Sequence, residues 1–295
     1  MSKRTIIASF TTIPERLDKG LPERCIQTLL RQTRKADLIL INIPRISRKG
    51  VAYDVEKAKG LEEQGVVVNW LDEDYGPVTK LFGTLDYIER KGLTGVQIIL
   101  VDDDVKYDPR CFELLIASGQ RAAGFVSRDP VLEWGFVSGT EWHDKGQGET
   151  AFLETYAGAV YDADLFLPFA GIRDWINGLP PFCQRADDIL IGAWMARKGV
   201  TPMRLDGMAS AHDAEGTTEL RHDNVADGNN NVDVLQHLFN DFEFMRLQTA
   251  LSLMHAVLAQ IWWIFLIMGI AFLVVGARDL YKIPIESMKF PIRQL

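Results

Sequence analysis

The stretch that decides the fold is residues 97–108, which read QIILVDDDVKYD. Its apolar run at 98–101 is typical of a strand buried on both faces. Three consecutive carboxylates follow it directly, Asp102, Asp103 and Asp104. Like charges repel unless a cation lies among them, and oxygen-rich clusters suit Mg2+ or Mn2+. Because ligands of open α/β sheets gather at the carboxyl ends of strands, this stretch predicts a metal site beside a phosphate-bearing ligand. A solvated acidic loop after a core strand is the alternative.

Strands and helices alternate upstream of this stretch. Apolar, β-branched runs predict strands at 5–10, 37–43 and 66–71. Helical spacing of apolar residues predicts helices at 21–32, 53–64 and 78–91. This alternation is typical of βαβ units, so the fold class is α/β, with a mostly parallel central sheet and flanking helices.

The alternation becomes irregular downstream. The predicted elements are a helix at 110–121, strands at 123–127 and 156–161, a short apolar segment at 165–169, and a helix at 187–198. Asp187 or Asp188 is expected to cap that last helix. Short extended pieces at 203–205 and 208–211 lead to His212, and a polar loop follows at 214–231.

The composition excludes some partners and predicts a compartment. A net charge of -8 argues against nucleic-acid binding, which needs a basic surface. The three cysteines, Cys25, Cys111 and Cys183, follow neither metal nor disulfide spacing and fit a reducing environment. No signal peptide is expected, because residues 1–4 lead directly into the first predicted strand.

The C-terminal part has the composition of a membrane anchor. No Asp, Glu, Lys or Arg occurs between 247 and 277, and we predict a transmembrane helix at 251–277 with a short basic tail at 278–295. A buried core helix is the alternative. Residues 232–250 are predicted to form an amphipathic connecting helix, which either lies at a membrane surface or packs against the preceding domain.

Four motifs carry a resemblance to a known family. They are TTIPER at 11–16, DYGPVTKL at 74–81, VDDDV at 101–105 and RADDILIGAW at 185–194. In this order the chain resembles nucleotide-sugar-dependent glycosyltransferases of the GT-A fold, of the small viral and bacterial type. The resemblance covers about residues 5–212 and implies a Rossmann-like GT-A catalytic domain, to which we assign 1–231.

The resemblance implies metal-dependent transfer, expected with inversion, from a nucleoside diphosphate sugar to a glycan or lipid-linked acceptor. The nucleotide contacts that it implies are Thr11, Thr12, Arg16, Asp74, Gly76, Pro77, Lys80, Asp102 and Asp103. Thr11, Thr12 and Arg16 are expected near the base and ribose, and Lys80 near a phosphate; a solvated helix residue is the alternative for Lys80. The implied ligands of Mn2+ or Mg2+ are Asp102, Asp104 and His212.

An inverting transfer needs a base for the acceptor hydroxyl, and a carboxylate is suitable. The resemblance implies Asp188 as this base, with Asp187 as the fallback. The family's more usual Glu-Asp pair is Asp-Asp here, which leaves open which of the two reaches the acceptor; a plain helix cap is the alternative. Trp134, Glu154 and Trp175 are candidate acceptor contacts, although a core role fits either Trp equally well.

Two other functions fit part of the sequence. The DDDV segment matches the motif of haloacid-dehalogenase-like phosphatases, with Asp102 as nucleophile, but that motif normally ends the first strand of its fold. A non-catalytic, membrane-tethered carbohydrate-binding protein is the other. The basic residues after the predicted span favour a tail in the cytoplasm, which would place the large domain outside. Nucleotide sugars and reduced cysteines favour the opposite orientation. We expect a cytosolic domain with a single-pass C-terminal anchor.

Overall fold

The computed structural model describes residues 4–133, 136–207, 211–212 and 230–238. The first four strands are β1 (Thr5–Thr11), β2 (Leu38–Pro44), β3 (Val67–Leu71) and β4 (Val96–Leu100). The first four helices are α1 (Pro14–Asp18), α2 (Leu21–Leu30), α3 (Val55–Glu62) and α4 (Thr79–Lys91). The strands pair in parallel, which confirms the predicted βαβ arrangement.

The second half adds shorter elements. Its strands are β5 (Val105–Lys106), β6 (Ala122–Gly124), β7 (Ser127–Glu133), β8 (Phe136–His143), β9 (Gly148–Glu149), β10 (Phe152–Leu153), β11 (Ala159–Asp162), β12 (Met203–Arg204) and β13 (Ala211–His212). Its helices are α5 (Cys111–Ala117), α6 (Phe169–Asn177), α7 (Asp187–Arg197) and α8 (Asn230–Leu238). Short 3-10 helices lie at Gly76–Val78, Thr155–Ala157, Ala163–Phe166 and Pro181–Arg185.

An eight-stranded sheet forms the centre, in the order β3-β2-β1-β4-β11-β6-β12-β9. β11 runs antiparallel to both β4 and β6, whereas β12 is parallel to β6. A three-stranded sheet, β10-β7-β8, and the pair β13-β5 lie outside it. The chain therefore has a Rossmann-like α/β fold whose central sheet is mostly parallel.

Helices cover both faces of the sheet. On one face, α2, α3 and α5 bury Ile26, Leu61 and Phe112 against strand residues such as Phe10 and Ile99. On the other, α4 packs against β1, β2 and β4. These strands are buried on both faces, which explains why most of their residues are apolar.

The apolar segment predicted at 165–169 does contribute to the core, through Leu165, Phe166 and Phe169. Three other predictions about the second half were wrong in detail. The strand predicted at 123–127 is divided between β6 and β7. The helix predicted at 110–121 ends at Ala117, shortly before Gly119 with φ +66°. The strand predicted at 156–161 begins only at Ala159, because a 3-10 turn precedes it.

The amphipathic segment near the C-terminus packs against the domain. Helix α8 begins at Asn230, two residues before the predicted boundary, and buries Val234, Leu235 and Leu238. It contacts β8 and α7. Gln236 Nε2 donates to the carbonyl of Val137 at 3.0 Å.

The predicted span at 251–277 and the tail at 278–295 lie outside the described residues. Within the ranges that the structure does describe, no helix is both long enough and apolar enough to traverse a bilayer.

Candidate active site

The acidic triplet lies at the carboxyl end of β4 and is held by two cations. Asp103 is buried and accepts from Thr12 Oγ1 and Arg16 Nη1, each at 2.5 Å. Arg16 Nη2 lies 2.8 Å from Asp104 Oδ2, so one guanidinium bridges two carboxylates. Asp102, whose side chain is 31% exposed, accepts from Lys80 Nζ at 2.7 Å.

The local sequence explains this arrangement. β1 and β4 are parallel neighbours, so their carboxyl ends lie side by side. Pro14 occupies the first turn of α1, where its missing N–H costs nothing, and the helix places the buried Arg16 over the triplet. Thr12 and Arg16 thus contact Asp103, a pairing that the sequence did not predict. Thr11 Oγ1 donates to the carbonyl of Asn42 at 2.7 Å.

The DYGPVTK segment forms a turn that positions Lys80. Asp74 accepts from the amide of Gly76 and from the amide of Arg48, both at 2.7 Å. Gly76 has φ +69°, which favours glycine, and Pro77 lies in the first turn of the 3-10 helix that leads into α4. Asp74, Gly76 and Pro77 therefore shape the loop. Lys80 is only 3% exposed, so its interpretation as a solvated helix residue is wrong.

Lys80 connects the triplet to the start of α7. Its Nζ lies 2.7 Å from Asp102 Oδ1, 2.9 Å from Asp187 Oδ2 and 2.7 Å from Thr155 Oγ1. Burial opposes the charge on Lys80, but Asp102 and Asp187 outweigh it and raise the pKa of the ammonium well above its usual range. The amine therefore stays protonated between the two carboxylates.

Asp187 and Asp188 occupy the first turn of α7, but neither caps it. Ala186 is at the N-cap and no side chain makes a capping hydrogen bond, so the predicted capping role was wrong. Asp188 Oδ1 instead accepts from the amide of Thr155 at 3.0 Å and from its hydroxyl at 2.6 Å. Burial, then Asp187 and Glu154, raise the pKa of Asp188 well above its usual range.

A second ion pair lies beside Asp188. Arg128 Nε donates to Glu154 Oε1 at 2.5 Å, and the side chains are 32% and 14% exposed. Burial raises the pKa of Glu154, whereas Arg128 lowers it. The sequence indicated Glu154 but missed Arg128, which carries no motif around it.

Trp175, a candidate acceptor contact, lies in α6. Trp175 packs against Trp194, with ring centroids 5.7 Å apart, and Arg197 lies over its ring. This contact joins α6 to α7, as expected for a core role. Trp134 lies outside the described residues.

We call the charged groups that meet here the acidic cluster. Its members are six carboxylates and three cations, Asp102, Asp103, Asp104, Glu154, Asp187, Asp188, Arg16, Lys80 and Arg128. Burial first, and then the charge of Asp102, raise the pKa of Asp104 to about 7. Among the described residues, carboxylates outnumber cations in this cluster.

This donor set fits a hard divalent cation. Mg2+ typically takes one or two carboxylates and completes its shell with water and substrate phosphates. Asp102 and Asp104 would be those ligands. Among the described residues, no three acidic, His or Cys side chains form a preformed metal cage. The backbone of His212 lies beside the triplet, because β13 pairs with β5 so that His212 is opposite Val105.

Comparisons with known proteins identify no family. No protein-family model matches the sequence, and no curated protein matches it. Among solved structures, the chain is similar to a crystal structure of 4-diphosphocytidyl-2C-methyl-D-erythritol synthase. The TM-score is 0.46 and the identity 14%, over 70% of this chain and 91% of that chain.

Proposed function

We propose that the chain is a metal-dependent glycosyltransferase that moves a sugar, with inversion, from a nucleoside diphosphate sugar to a glycan or lipid-linked acceptor. One observation carries the proposal: the ammonium of Lys80 contacts both Asp102, at the end of β4, and Asp187, at the start of α7. The two motifs expected to hold the leaving group and to supply the base therefore belong to one connected site.

The triplet forms the donor side of the site. Mn2+ or Mg2+ held by Asp102 and Asp104, with His212 as a further ligand, would stabilise the negative charge of the departing diphosphate. Arg16 and Lys80 fix the orientation of the three carboxylates. The Asp74 turn, with Gly76 and Pro77, borders this side through its connection to Lys80.

Asp188 supplies the base on the acceptor side. The acceptor hydroxyl gives its proton to the Asp188 carboxylate as its oxygen bonds to the anomeric carbon, while the bond from that carbon to the diphosphate oxygen breaks. Asp187 is held by Lys80, which favours Asp188 for this role. Because the pKa of Asp188 is raised, its carboxylate is a stronger base than an exposed aspartate.

A C-terminal anchor agrees with a lipid-linked or envelope acceptor. We propose that residues 251–277 tether a cytosolic catalytic domain to the membrane. Protease treatment of intact cells tests the orientation: the domain should survive, and its digestion from outside would contradict this topology.

A substrate panel separates the candidate functions. The purified protein is incubated with Mn2+ and a set of nucleoside diphosphate sugars, and in parallel with p-nitrophenyl phosphate. We expect release of nucleoside diphosphate from at least one donor. Hydrolysis of p-nitrophenyl phosphate that Asp102→Asn abolishes, without turnover of any donor, would replace the transferase by the phosphatase. Turnover of neither substrate would favour the carbohydrate-binding protein.

A further inference from the structure

A partly exposed aromatic pair lies next to the candidate base. Trp142 is on β8, and it is 48% exposed. Among the described residues, the other exposed aromatic hydrophobic, Phe182, is 40% exposed. Tyr156 lies beside it: burial raises the pKa of the phenol, and the neighbouring indole of Trp142 opposes that shift. Tyr156 is itself partly exposed. Two partly exposed rings therefore lie next to each other, and the indole face can receive a ligand.

The ion pair described above lies on the same side of the small sheet. In the pairing of β7 with β8, Arg128 is directly opposite Trp142, so both side chains project from one face. Arg128 also donates to Thr140 Oγ1 at 3.2 Å, from the same face. The guanidinium thus holds Glu154 close to the indole.

Three consecutive residues connect this surface to the base. Glu154 pairs with Arg128, Thr155 donates twice to Asp188, and Tyr156 lies beside Trp142. Glu154 also lies close enough to Asp188 to raise its pKa. The short segment 154–156 therefore places an exposed indole, a phenol and a carboxylate beside the candidate base.

We propose that Trp142, Tyr156 and the Arg128–Glu154 pair form the binding site for the acceptor sugar. A pyranose has an apolar face of C–H groups and an edge of hydroxyls. The face would stack on the indole of Trp142, and the hydroxyls would bond to Tyr156 and Glu154. The next hydroxyl would then lie at Asp188. The role of this site in sugar transfer rests on the proposed function. Sugar binding itself does not, because it can be measured without a donor.

The binding test uses saturation-transfer NMR with methyl glycosides of hexoses, N-acetylhexosamines and pentoses. We expect wild-type protein to bind at least one glycoside, Trp142→Ala to bind it on the order of tenfold more weakly, and Trp142→Phe to retain part of the affinity. The matched control is Tyr87→Ala, whose ring contacts Arg90 and Lys91 on the outer side of α4 and should not matter. Equal binding by wild type and Trp142→Ala, or binding by neither, overturns the proposal.

A kinetic test separates this site from the proposed function. With a donor that the wild type uses, Trp142→Ala should raise the KM for the acceptor on the order of tenfold. The KM for the donor should change less than the KM for the acceptor, and the control Tyr87→Ala should change neither. A change in the donor KM with an unchanged acceptor KM contradicts the proposal. Loss of glycoside binding in Trp142→Ala, with no donor turnover by wild type, supports the sugar site and removes the transferase.

Discussion

The ammonium of Lys80 lies 2.9 Å from Oδ2 of Asp187, although 107 positions of sequence separate the two residues. Lys80 belongs to α4 and Asp187 to α7, and the same ammonium contacts Asp102 beyond the end of β4. Because its side chain is 4% exposed, water contributes little to its solvation. Lys80 is therefore a buried cation that Asp102 and Asp187 share.

Replacing Lys80 should destabilise the fold. Lys80→Met leaves the carboxylates of Asp102 and Asp187 without their shared cation, and breaking a buried pair in this way costs about 3–5 kcal/mol in the free energy of unfolding. Urea denaturation at pH 7.5 measures this cost.

The matched control for that experiment is Lys57→Met, because Lys57 pairs with Asp18 at the surface. Its urea midpoint should stay close to wild type, since exposed ion pairs contribute little. A Lys80→Met protein as stable as wild type would show that the cation is not required.

Two glycine substitutions should have opposite effects. A Cβ on Gly83, inside α4, would lie 2.3 Å from Asn42 Oδ1. Asn42 donates to Ser9 and accepts from Asn69 in a buried polar network. We expect Gly83→Ala to cost about 1–3 kcal/mol in the free energy of unfolding, because the network must shift.

Gly60→Ala is the comparison, because Gly60 lies inside α3 with nothing within 4 Å of the added Cβ. It should stabilise the protein by about 0.5–1 kcal/mol, the difference in helix propensity. Thermal denaturation of both variants decides the point; a tolerated Gly83→Ala would contradict the close approach of α4 to β2.

Replacing Asp188 should make the protein more stable but less active. Its pKa is raised in the folded chain, so the folded state binds the proton more tightly than the unfolded chain, where the pKa is about 4. The resulting stabilisation is present at low pH and is lost as the pH rises through the folded pKa. Ionisation of the buried side chain therefore destabilises the fold.

Asp188→Asn should raise the Tm at pH 7.5, because the amide oxygen can still accept from Thr155. The same change should lower kcat/KM by about 10²–10⁴-fold, the typical contribution of a general base. In the wild type, kcat/KM should fall at acid pH with a midpoint well above about 4. Asp164→Asn, at an exposed ion pair with Arg121, is the control and should change neither quantity.

Removing divalent cations should abolish transfer. Carboxylates outnumber cations among the described residues of the acidic cluster, which favours a bound divalent cation, so EDTA should reduce nucleoside diphosphate release to background, and Mn2+ or Mg2+ should restore it. Asp104→Asn should require more metal for half-maximal rate. The control is Asp72→Asn, at a fully solvated side chain. Full activity in EDTA would remove the metal from the proposal.

Much of the fold could be predicted from the sequence, for a physical reason. β1 to β4 are buried on both faces, so each is mostly apolar, and every one was predicted within two residues at either end. The antiparallel direction of β11 could not be read, because side-chain periodicity is the same in either direction. α6 was missed, although Phe169, Ile172 and Ile176 are buried at helical spacing.

The sequence predicted which carboxylates form the site better than it predicted which side chains contact each other. The triplet and the Asp187–Asp188 pair stand out as runs of carboxylates, and they do lie in one cluster. Their cations were harder to assign, because Arg16 and Lys80 reach the triplet only through tertiary structure. Arg128 was missed for the same reason: a single arginine in a strand carries no local signal.

Glycosyl transfer with Asp188 as the base is tested most directly by measuring nucleoside diphosphate release from the donor panel by wild type and by Asp188→Asn, with Mn2+ and an acceptor glycoside. We expect wild type to release nucleoside diphosphate from at least one donor, and to do so faster when the acceptor is present. We expect Asp188→Asn to remain folded but to reduce the acceptor-dependent rate by at least about a hundredfold. No release from any donor, or equal acceptor-dependent rates for the two proteins, would contradict it.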